Sequence, residues 1–435
     1  MIKLPAQEFA HRLLISLARQ IREGKDLDRE KIVEWVLTDS LDKNDSQYDF
    51  WKTRIKKRLD YLLAEEDEEA LLVRLIEDAC SECPENAPCA EVCPTGAIKK
   101  DEEGKYRIRE DLCVECTLCV ENCISGSIIT RSEFAQVASM ILQSKEHPVY
   151  AIVAPSFVGQ FGENVTPEIF KGALKEIGFT DVYEVALAAD IITHHEAEIF
   201  VDRIKKGQDF VITSCCCPAF IKLVEKIRPR VSHLVTPSVS PMIALGRILK
   251  KREPNCRVVF IGPCIAKKAE AKRPDLQPAI DCVLTYKETK ALLEAGDIPL
   301  DGSLGQEEMK DASHDGRIYA FTGGVTAAIT RAVKRLSPHL EVKAVYGDGL
   351  KECNRLLKEY EEGNLDANFM EGMGCPHGCV GGPGTIIHSE LAKKIVQKHA
   401  REALYAQAMD NTKAKEWQEQ YGEATDLHSK KVSLK

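Results

Sequence analysis

Cysteine is the residue type whose number and spacing in this sequence most directly indicate chemistry. The 435 residues contain 17 cysteines, and the first eight fall between positions 80 and 123. They form two closely spaced runs, Cys80-x2-Cys83-x5-Cys89-x3-Cys93 and Cys113-x2-Cys116-x2-Cys119-x3-Cys123. In a long chain without a secretion signal, such clustering indicates metal ligation rather than disulfide bonds.

The second run resembles that of bacterial ferredoxins, where three thiolates bind one [4Fe-4S] cluster and the fourth cysteine crosses to another. The resemblance implies two [4Fe-4S] clusters. One is assigned to Cys80, Cys83, Cys89 and Cys123, and the other to Cys93, Cys113, Cys116 and Cys119. Zinc is the alternative metal, but two zinc ribbons do not normally give this interlocked spacing. The five-residue spacer before Cys89, and Ile124 in place of a proline, change loop shape without removing a ligand.

Three later loops carry a second set of cysteines. They read TSCCCP at 213–218, GPCIAKKAEA at 262–271 and EGMGCPHGCVGG at 371–382. Cys217 or a neighbour, together with Cys264, Cys375 and Cys379, offers four thiolates for one more [4Fe-4S] cubane. Glycines at positions 372, 374, 378, 381 and 382 would let the backbone approach a bulky inorganic ligand closely.

In order and spacing, these three loops resemble the signature motifs of [FeFe]-hydrogenases, and the likeness covers about residues 78–395. The tripled cysteine is most similar to the group B branch of that family. The resemblance implies an H-cluster, a [4Fe-4S] cubane joined through a cysteine sulfur to a di-iron unit that carries CO, cyanide and an azadithiolate. It implies Cys217, Cys264, Cys375 and Cys379 as cubane ligands, with Cys379 as the bridge. The implied enzyme activity is the reversible formation of H2 from two protons and two electrons.

The resemblance also assigns roles to residues around the di-iron unit. Lys267 matches a lysine that donates to a cyanide, a role that suits an ammonium beside an anionic ligand. Pro155 and Ser156 match the contacts to the other cyanide. Met373 matches a methionine that packs against the di-iron unit. A surface lysine and a core methionine are the alternative interpretations of Lys267 and Met373.

Cysteines outside the ligand set receive different interpretations. The resemblance implies that Cys216 passes protons to the bridging amine, because a thiol is a weak acid with a pKa not far from neutral. Cys215 stands where the family usually has serine, and it is either a packing thiol or a second soft group that alters the relay or protects the cluster. Cys256, Cys282 and Cys353 match no motif and are predicted to be free, buried or half-buried thiols.

The outer proton route departs from the family pattern. Glu196 matches the first relay glutamate, and Thr236 stands where a serine is common. The second relay glutamate falls on Ile199, which cannot carry a proton. Either the route bends through Glu198 or Asp202, or proton transfer is slower in this chain.

Three histidines lie in or near these motifs. His194 and His195 are predicted to pack or to lie at the surface, rather than to replace the missing glutamate. His377, within the third loop, is a candidate for a hydrogen bond that tunes the cubane.

Apolar patterns indicate the elements that must position these loops. Helical spacing predicts N-terminal helices at 6–23, 29–37 and about 47–79, the last with a charged break near 65–69. Short apolar runs predict strands at 149–153, 210–212, 258–261, 282–284, 318–321 and 342–345. Helical segments separate these runs, so the predicted fold is α/β with parallel sheets, and functional loops should lie at the carboxyl ends of strands.

The motifs and the predicted elements divide the chain into four segments or domains. They are an N-terminal helical segment (1–77), a ferredoxin-like domain with two [4Fe-4S] clusters (78–131), a two-lobed H-cluster domain with parallel sheets flanked by helices (132–398), and a charged helical tail (399–435).

Composition and charge restrict the expected cellular location of the protein and the classes of its binding partners. The net charge of −9 argues against nucleic-acid binding, and no apolar run approaches the roughly 20 residues that span a bilayer. Without a secretion signal, the cytoplasm is the expected location. The expected partners are a ferredoxin-like electron carrier and the maturation proteins that supply the di-iron unit. Two alternatives stay open: a sensor of H2 or redox state with low turnover, and a non-catalytic hydrogenase-like iron–sulfur protein.

Overall fold

A computed structural model describes most of the chain. The described residues are 5–24, 26–38, 40–64, 71–76, 83, 87–213, 216–305, 307–422 and 426–429. Two cysteines of the motifs, Cys80 and Cys215, lie outside them. Within the described ranges, no helix is both long enough and apolar enough to cross a membrane.

Three helices precede the first cysteine run. They are α1 (Pro5–Arg22), α2 (Arg29–Leu37) and α3 (Tyr48–Leu63). Helix α1 buries Leu13 and Leu17 completely, because its apolar residues recur on one face. The first two predicted helices are confirmed to within one residue. Helix α3 ends at Leu63, and the third prediction was wrong at Val73–Leu75, which is a strand. Residues 65–70 and 77–79 of that prediction lie outside the described residues.

Short elements surround the first two cysteine runs. They are β1 (Val73–Leu75), α4 (Pro88–Glu91), β2 (Ile98–Lys100), β3 (Tyr106–Ile108), α5 (Leu118–Glu121) and β4 (Ile128–Thr130). Strand β1 pairs antiparallel with β4, and β2 pairs antiparallel with β3. Their small apolar core includes Leu72 and Ile128 and is completed by Ile265 from a later loop. Two such short ribbons bury little apolar surface, so metal binding would contribute to their stability.

Two parallel sheets form the main part of the molecule. Their strands are β5 (Val149–Val153), β6 (Asp181–Glu184), β7 (Val211–Thr213), β8 (Arg257–Gly262), β9 (Cys282–Thr285), β10 (Ala344–Asp348) and β11 (Phe369–Met373). The first sheet has the order β6-β5-β8-β9, and the second has the order β10-β11-β7. Every neighbouring pair in both sheets is parallel. The predicted α/β architecture with parallel sheets is confirmed.

Helices flank and separate the sheets. They are α6 (Phe134–Leu142), α7 (Pro167–Ile177), α8 (Val185–Lys205), α9 (Pro218–Ile227), α10 (Pro241–Arg252), α11 (Ala266–Ala271), α12 (Tyr286–Ala295), α13 (His314–Arg317), α14 (Gly324–Leu336), α15 (Leu350–Glu361), α16 (Ser389–Arg401) and α17 (Thr412–Tyr421). Helix α8 is central, because every residue from Val185 to Thr193 is buried. It contacts α10, α13, α14 and α17.

Two features of the sheets differ from the sequence prediction. The strand predicted at 318–321 was wrong, because Ser313 caps α13 by accepting a hydrogen bond from the Gly316 amide, and a 3-10 turn follows at Ile318–Ala320. Strands β6 and β11 were not predicted. The β11 sequence, FMEGM, contains a glutamate, a glycine and no β-branched residue, so its strand conformation depends on parallel pairing on both sides.

Candidate metal centre

The three later cysteine loops lie at the carboxyl ends of parallel strands, as predicted. Cys217 follows β7 and precedes α9, Cys264 follows β8, and Cys375 follows β11. Cys379 lies in the 3-10 turn Gly378–Gly381. All four thiols are half-buried. Because β8 belongs to the first sheet and β7 and β11 belong to the second, both sheets contribute thiols.

These four thiols lie close enough to affect one another's ionisation. The pKa of Cys264 is raised to about 11 and that of Cys379 to about 12, first by burial and then by neighbouring cysteine sulfurs. Burial raises the pKa of Cys375 well above its ordinary value, and Cys264, Cys217 and Cys379 add to the effect. Ionising four thiols this close together needs compensating positive charge, which the irons of a [4Fe-4S] cubane would supply. The donor set therefore fits the predicted cubane.

Glycines let the backbone approach these thiols. The Gly374 amide donates to Cys217 Sγ over 3.2 Å, a hydrogen bond of the kind that tunes cluster potentials. A Cβ atom at Gly374 would lie 3.1 Å from the same sulfur. At Gly382 a Cβ atom would lie 2.6 Å from the Pro263 carbonyl oxygen, a distance that forces a shift. Glycine is thus required where the second and third loops meet.

Three further residues named by the resemblance lie beside the thiols. Cys216 Sγ is 3.9 Å from Met373 Sδ, and Met373 is almost completely buried. Lys267 is buried on α11, and its ammonium donates to Glu270 Oε2 over 2.5 Å. Burial acts to lower the pKa of Lys267, but Glu270, Cys264 and Cys216 outweigh it and the pKa is raised. Lys267 is therefore a desolvated cation near the cysteines and not a surface lysine.

Pro155 and Ser156 form a 3-10 turn directly after β5. Ser156 Oγ lies 2.8 Å from the Tyr286 hydroxyl, which also donates to the Ala154 carbonyl oxygen over 3.3 Å. Tyr286 is completely buried, and its pKa is raised by burial and then by the nearby Cys379 sulfur. The sequence motifs did not include Tyr286, although its position directly after β9 placed it at a strand end.

Glu196 on α8 and Thr236 are a buried hydrogen-bonded pair. Thr236 Oγ1 donates to Glu196 Oε1 over 2.7 Å, and both side chains are almost completely buried. Ile199 is half-buried nearby on the same helix, whereas Glu198 and Asp202 are exposed. Two of the predicted relay residues are therefore in contact, and the path from them to solvent stays a prediction.

The three histidines of the motifs occupy different surroundings. His194 and His195 are half-buried, and the His195 ring packs edge-on against His428 with centroids 5.1 Å apart. The pKa of His195 is lowered to about 4, chiefly by burial. The backbone of His377 has a φ of 66°, and its amide donates to Asp348 Oδ1 over 2.6 Å. Packing accounts for His195. The bond of His377 is made by its backbone amide, so the predicted hydrogen bond from its side chain to the cubane stays a prediction.

Two cysteines from different runs meet at one serine. Ser125 Oγ lies 3.8 Å from Cys83 Sγ and 3.6 Å from Cys123 Sγ. Cys89 is buried in the same small core as Cys123. These three are the described members of the ligand set assigned to the first cluster, whose fourth member, Cys80, lies outside the described residues.

The other four cysteines of the two runs form a second group. The pKa of Cys116 is raised to about 12, chiefly by burial, with further contributions from Cys93 and Cys113. The pKa of Cys119 is raised by burial and then by Cys116, Cys113 and Cys93. Cys116 in turn contributes to the raised pKa of Cys375. The second group therefore lies within electrostatic reach of the four-thiol site. A chain of clusters that passes electrons to this site needs one cluster at such a position.

Cysteines without a motif are packing residues. Cys256, Cys282 and Cys353 are free and buried, as predicted. Cys353 Sγ lies 3.5 Å from the Met373 carbonyl oxygen, so this thiol supports the strand that leads to the third loop.

Glu371 supports the same strand and was missed by sequence analysis. Its Oε1 accepts from the Gly323 amide over 2.9 Å, and its Oε2 accepts from the Thr326 amide and hydroxyl over 2.7 Å each. These bonds fasten β11 to the start of α14. A single glutamate in the otherwise apolar sequence FMEGM was the available signal, because a buried carboxylate needs donors.

Comparison with known proteins identifies the family. Residues 147–383, more than half of the chain, match the family described as iron-only hydrogenase large subunit, C-terminal domain. Iron hydrogenase 1 from Clostridium pasteurianum is 27% identical over 333 residues, which are 65% of this chain and 58% of the relative. Cytosolic Fe-S cluster assembly factor narfl from Xenopus tropicalis is 24% identical over 378 residues, which are 71% of this chain and 78% of the relative.

A solved structure shares the fold. An [FeFe]-hydrogenase structure described for oxygen inactivation and H-cluster degradation aligns with a TM-score of 0.56 at 21% identity, covering 68% of this chain and 98% of that chain. The four thiols from three strand-end loops, the parallel sheets and the matched residues agree with one another. The chain belongs to the iron-only hydrogenase large-subunit family.

Proposed function

We propose that this chain is an [FeFe]-hydrogenase that interconverts H2 with protons and electrons at an H-cluster held by Cys217, Cys264, Cys375 and Cys379. The observation that carries this proposal is the arrangement of Cys216, Met373 and Lys267 beside the four thiols. A scaffold that held a cubane alone would not need these residues. When bound, the di-iron unit supplies the site at which protons and electrons combine.

Lys267 and Ser156 would orient the anionic ligands of that unit. The ammonium of Lys267 is fixed by Glu270, which accepts one of its three donors, and among the described residues no group accepts from the other two. The Ser156 hydroxyl is held by Tyr286. Burial removes competing water from both groups and strengthens their hydrogen bonds.

Proton delivery is assigned to Cys216, with Glu196 and Thr236 further out. Cys216 is half-buried beside Met373, so its thiol can donate a proton inward without admitting bulk water. The Thr236 hydroxyl has its proton directed at Glu196. A relay through this pair needs the carboxyl to be protonated and the hydroxyl to turn.

Electron delivery is assigned to two [4Fe-4S] clusters in the N-terminal cysteine runs. The group of Cys93, Cys113, Cys116 and Cys119 would be nearer the H-cluster, because Cys116 lies within electrostatic reach of Cys375. The group of Cys83, Cys89 and Cys123 would be the outer cluster, where a ferredoxin-like carrier exchanges electrons. Maturation proteins would supply the di-iron unit.

A non-catalytic role in iron–sulfur assembly is the second candidate. It is favoured by the similarity to the assembly factor from Xenopus tropicalis. The match covers 78% of that protein but 58% of the Clostridium hydrogenase. A sensor of H2 would share the H-cluster but turn over slowly.

Infrared spectroscopy of the protein matured with the di-iron unit tests the proposal. Bands from metal-bound CO and cyanide are expected, together with H2 evolution from a reduced carrier. Absence of those bands, with three intact cubanes, would favour the assembly role. Bands with negligible turnover would favour the sensor.

A further inference from the structure

A cavity of about 210 Å³ lies where three parts of the chain meet. Leu14 of α1 and Leu62 of α3 form its N-terminal wall. Cys123 and Ile128 line it from the cysteine-rich region, and Ile265 lines it from the loop after β8. The N-terminal helices therefore share a largely apolar space with a ligand of the outer cluster.

The lysines in the cavity wall form ion pairs, whereas the arginine in the wall forms none with the described residues. Each lysine that lines the cavity has a carboxylate partner. The three ion pairs are Lys268–Glu288 at 2.7 Å, Lys287–Glu121 at 2.8 Å and Lys290–Glu294 at 3.7 Å. Arg58 also lines the cavity, yet it forms no hydrogen bond or ion pair with any residue that the structure describes.

Arg58 is poorly placed for hydration. It is half-buried, and burial lowers the pKa of its guanidinium, while Cys123, Glu288 and Glu121 act in the opposite direction. Because Glu288 and Glu121 already neutralise lysines, they leave Arg58 without full compensation. An uncompensated charge away from water is costly. Among the described residues that line the cavity, the surroundings of Cys123 are the remaining source of negative charge.

Helix α3 is fixed to the loop that carries Cys123. The Arg54 guanidinium, one turn before Arg58, donates to the Ser125 carbonyl oxygen over 2.8 Å. The Ser125 hydroxyl lies 3.6 Å from Cys123 Sγ. Residues four apart lie on the same face of a helix, so Arg54 and Arg58 both face the cysteine-rich region.

We propose that Arg58 is the counter-ion of the iron–sulfur cluster bound by Cys123 and that it raises the reduction potential of this cluster. A cluster held by four thiolates is negatively charged and gains one more negative charge when one electron enters. A nearby guanidinium therefore stabilises the reduced form more than the oxidised form. The inference rests on the outer cluster of the proposed function and is independent of H2 chemistry.

The fit of the donor set to that cluster has independent support. Cys83 and Cys123 both contact Ser125, and the Ile128 amide donates to Cys123 Sγ over 3.3 Å. An amide directed at a sulfur, and two cysteines from separate runs at one hydroxyl, suit a cluster held across both runs. The N-terminal helices would then set how easily electrons enter the chain of clusters.

A redox titration of the full chain, reconstituted with iron and sulfide and followed by electron paramagnetic resonance, tests this inference. The signal that disappears in Cys83→Ala identifies the outer cluster. Arg58→Gln is expected to lower the ratio of reduced to oxidised cluster at a fixed potential about tenfold, a shift of about 59 mV for a one-electron couple. Arg58→Lys is expected to keep the original potential. Lys57→Gln, which removes a cation from the exposed face of the same helix, is the matched control and is expected to change nothing.

Equal potentials in Arg58→Gln and Lys57→Gln would overturn the inference. If Arg58→Gln cannot hold the cluster, Arg58→Lys decides the question. Retention of the cluster at its original potential in Arg58→Lys supports the counter-ion role. Loss of the cluster, or a tenfold change in its ratio of reduced to oxidised form, refutes that role. Infrared bands and H2 turnover are measured separately. A shifted outer cluster in a chain that still lacks these bands after maturation with the di-iron unit would refute the hydrogenase proposal and leave the role of Arg58 intact.

Discussion

Thr236 Oγ1 donates a hydrogen bond to Glu196 Oε1 over 2.7 Å, with both side chains almost completely buried. A threonine hydroxyl has one proton, and here it points toward the carboxylate. The two groups are far apart in sequence and are joined by the packing of the segment before α10 against α8. Because the bond is shielded from water, removal of either partner leaves the other with a desolvated polar group.

Thr236→Val should slow H2 evolution about 10²-fold, the lower end of the effect of a positioned proton-transfer group. Valine has nearly the same shape as threonine but cannot donate to Glu196. Thr236→Ser keeps the hydroxyl and should retain most turnover. Rates measured with excess reduced carrier separate proton transfer from electron supply. Equal rates for Thr236→Val and the parent protein would remove Thr236 from the proton route.

Cys216→Ala should leave iron content unchanged and lower H2 turnover by about 10²- to 10⁴-fold, because the group that donates the proton to the di-iron site is lost. Cys256→Ala removes a buried thiol directly before β8, at the opposite end of that strand from the second loop, and should retain turnover. Iron analysis and an H2 assay on the same samples give both quantities. Full turnover in Cys216→Ala would mean that another group supplies the proton.

Gly374→Ala should reduce occupancy of the H-cluster cubane. The added Cβ would lie 3.1 Å from Cys217 Sγ and 3.3 Å from the Ala219 Cβ, so the first and third loops must separate. At Gly302 the same substitution meets nothing within 4 Å and serves as control. Iron per chain should fall in Gly374→Ala, at most by the iron of one cubane, and stay unchanged in Gly302→Ala. Identical iron content in both variants would show that the loops adjust.

Asp190 should make stability depend on pH. It accepts hydrogen bonds from Ser313 and Asn411, yet burial raises its pKa to about 7. Since an unfolded aspartate has a pKa of about 3.9, the folded state binds more protons between about pH 4 and pH 7, and stability falls as pH rises through this window.

Asp190→Asn cannot titrate and should flatten this dependence. The parent protein's unfolding temperature, relative to that of the variant, should therefore decline between pH 5 and pH 7.5. Asp26→Asn changes an exposed carboxyl and should follow the parent protein at each pH. A constant difference between parent and Asp190→Asn would show that Asp190 is charged throughout.

Local sequence patterns correctly predicted helices and strands whose bounds are set by residues close to them in the sequence. The helix at 29–37 and the strand at 149–153 were predicted with the bounds that the structure has, because strong apolar periodicity and flanking polar residues mark their ends. Strand β11 escaped prediction, since its conformation is imposed by two parallel neighbours from distant parts of the chain. The segment 318–321 was predicted as a strand, but it follows α13 and begins with a 3-10 turn. Over so short a length, a run of apolar residues does not distinguish the period of a helix from that of a strand.

The sequence by itself determined the number, type and order of the thiols and the family to which the chain belongs. Cysteine spacing is a local property, and the signature loops are short enough to be recognised as written. The tertiary structure alone decided that Tyr286 holds Ser156, that Glu371 fastens β11 to α14, and that Arg58 lies in one cavity with Cys123. Such contacts join residues far apart in the chain. Their partners are set by the packing of sheets and helices, and no local spacing encodes them.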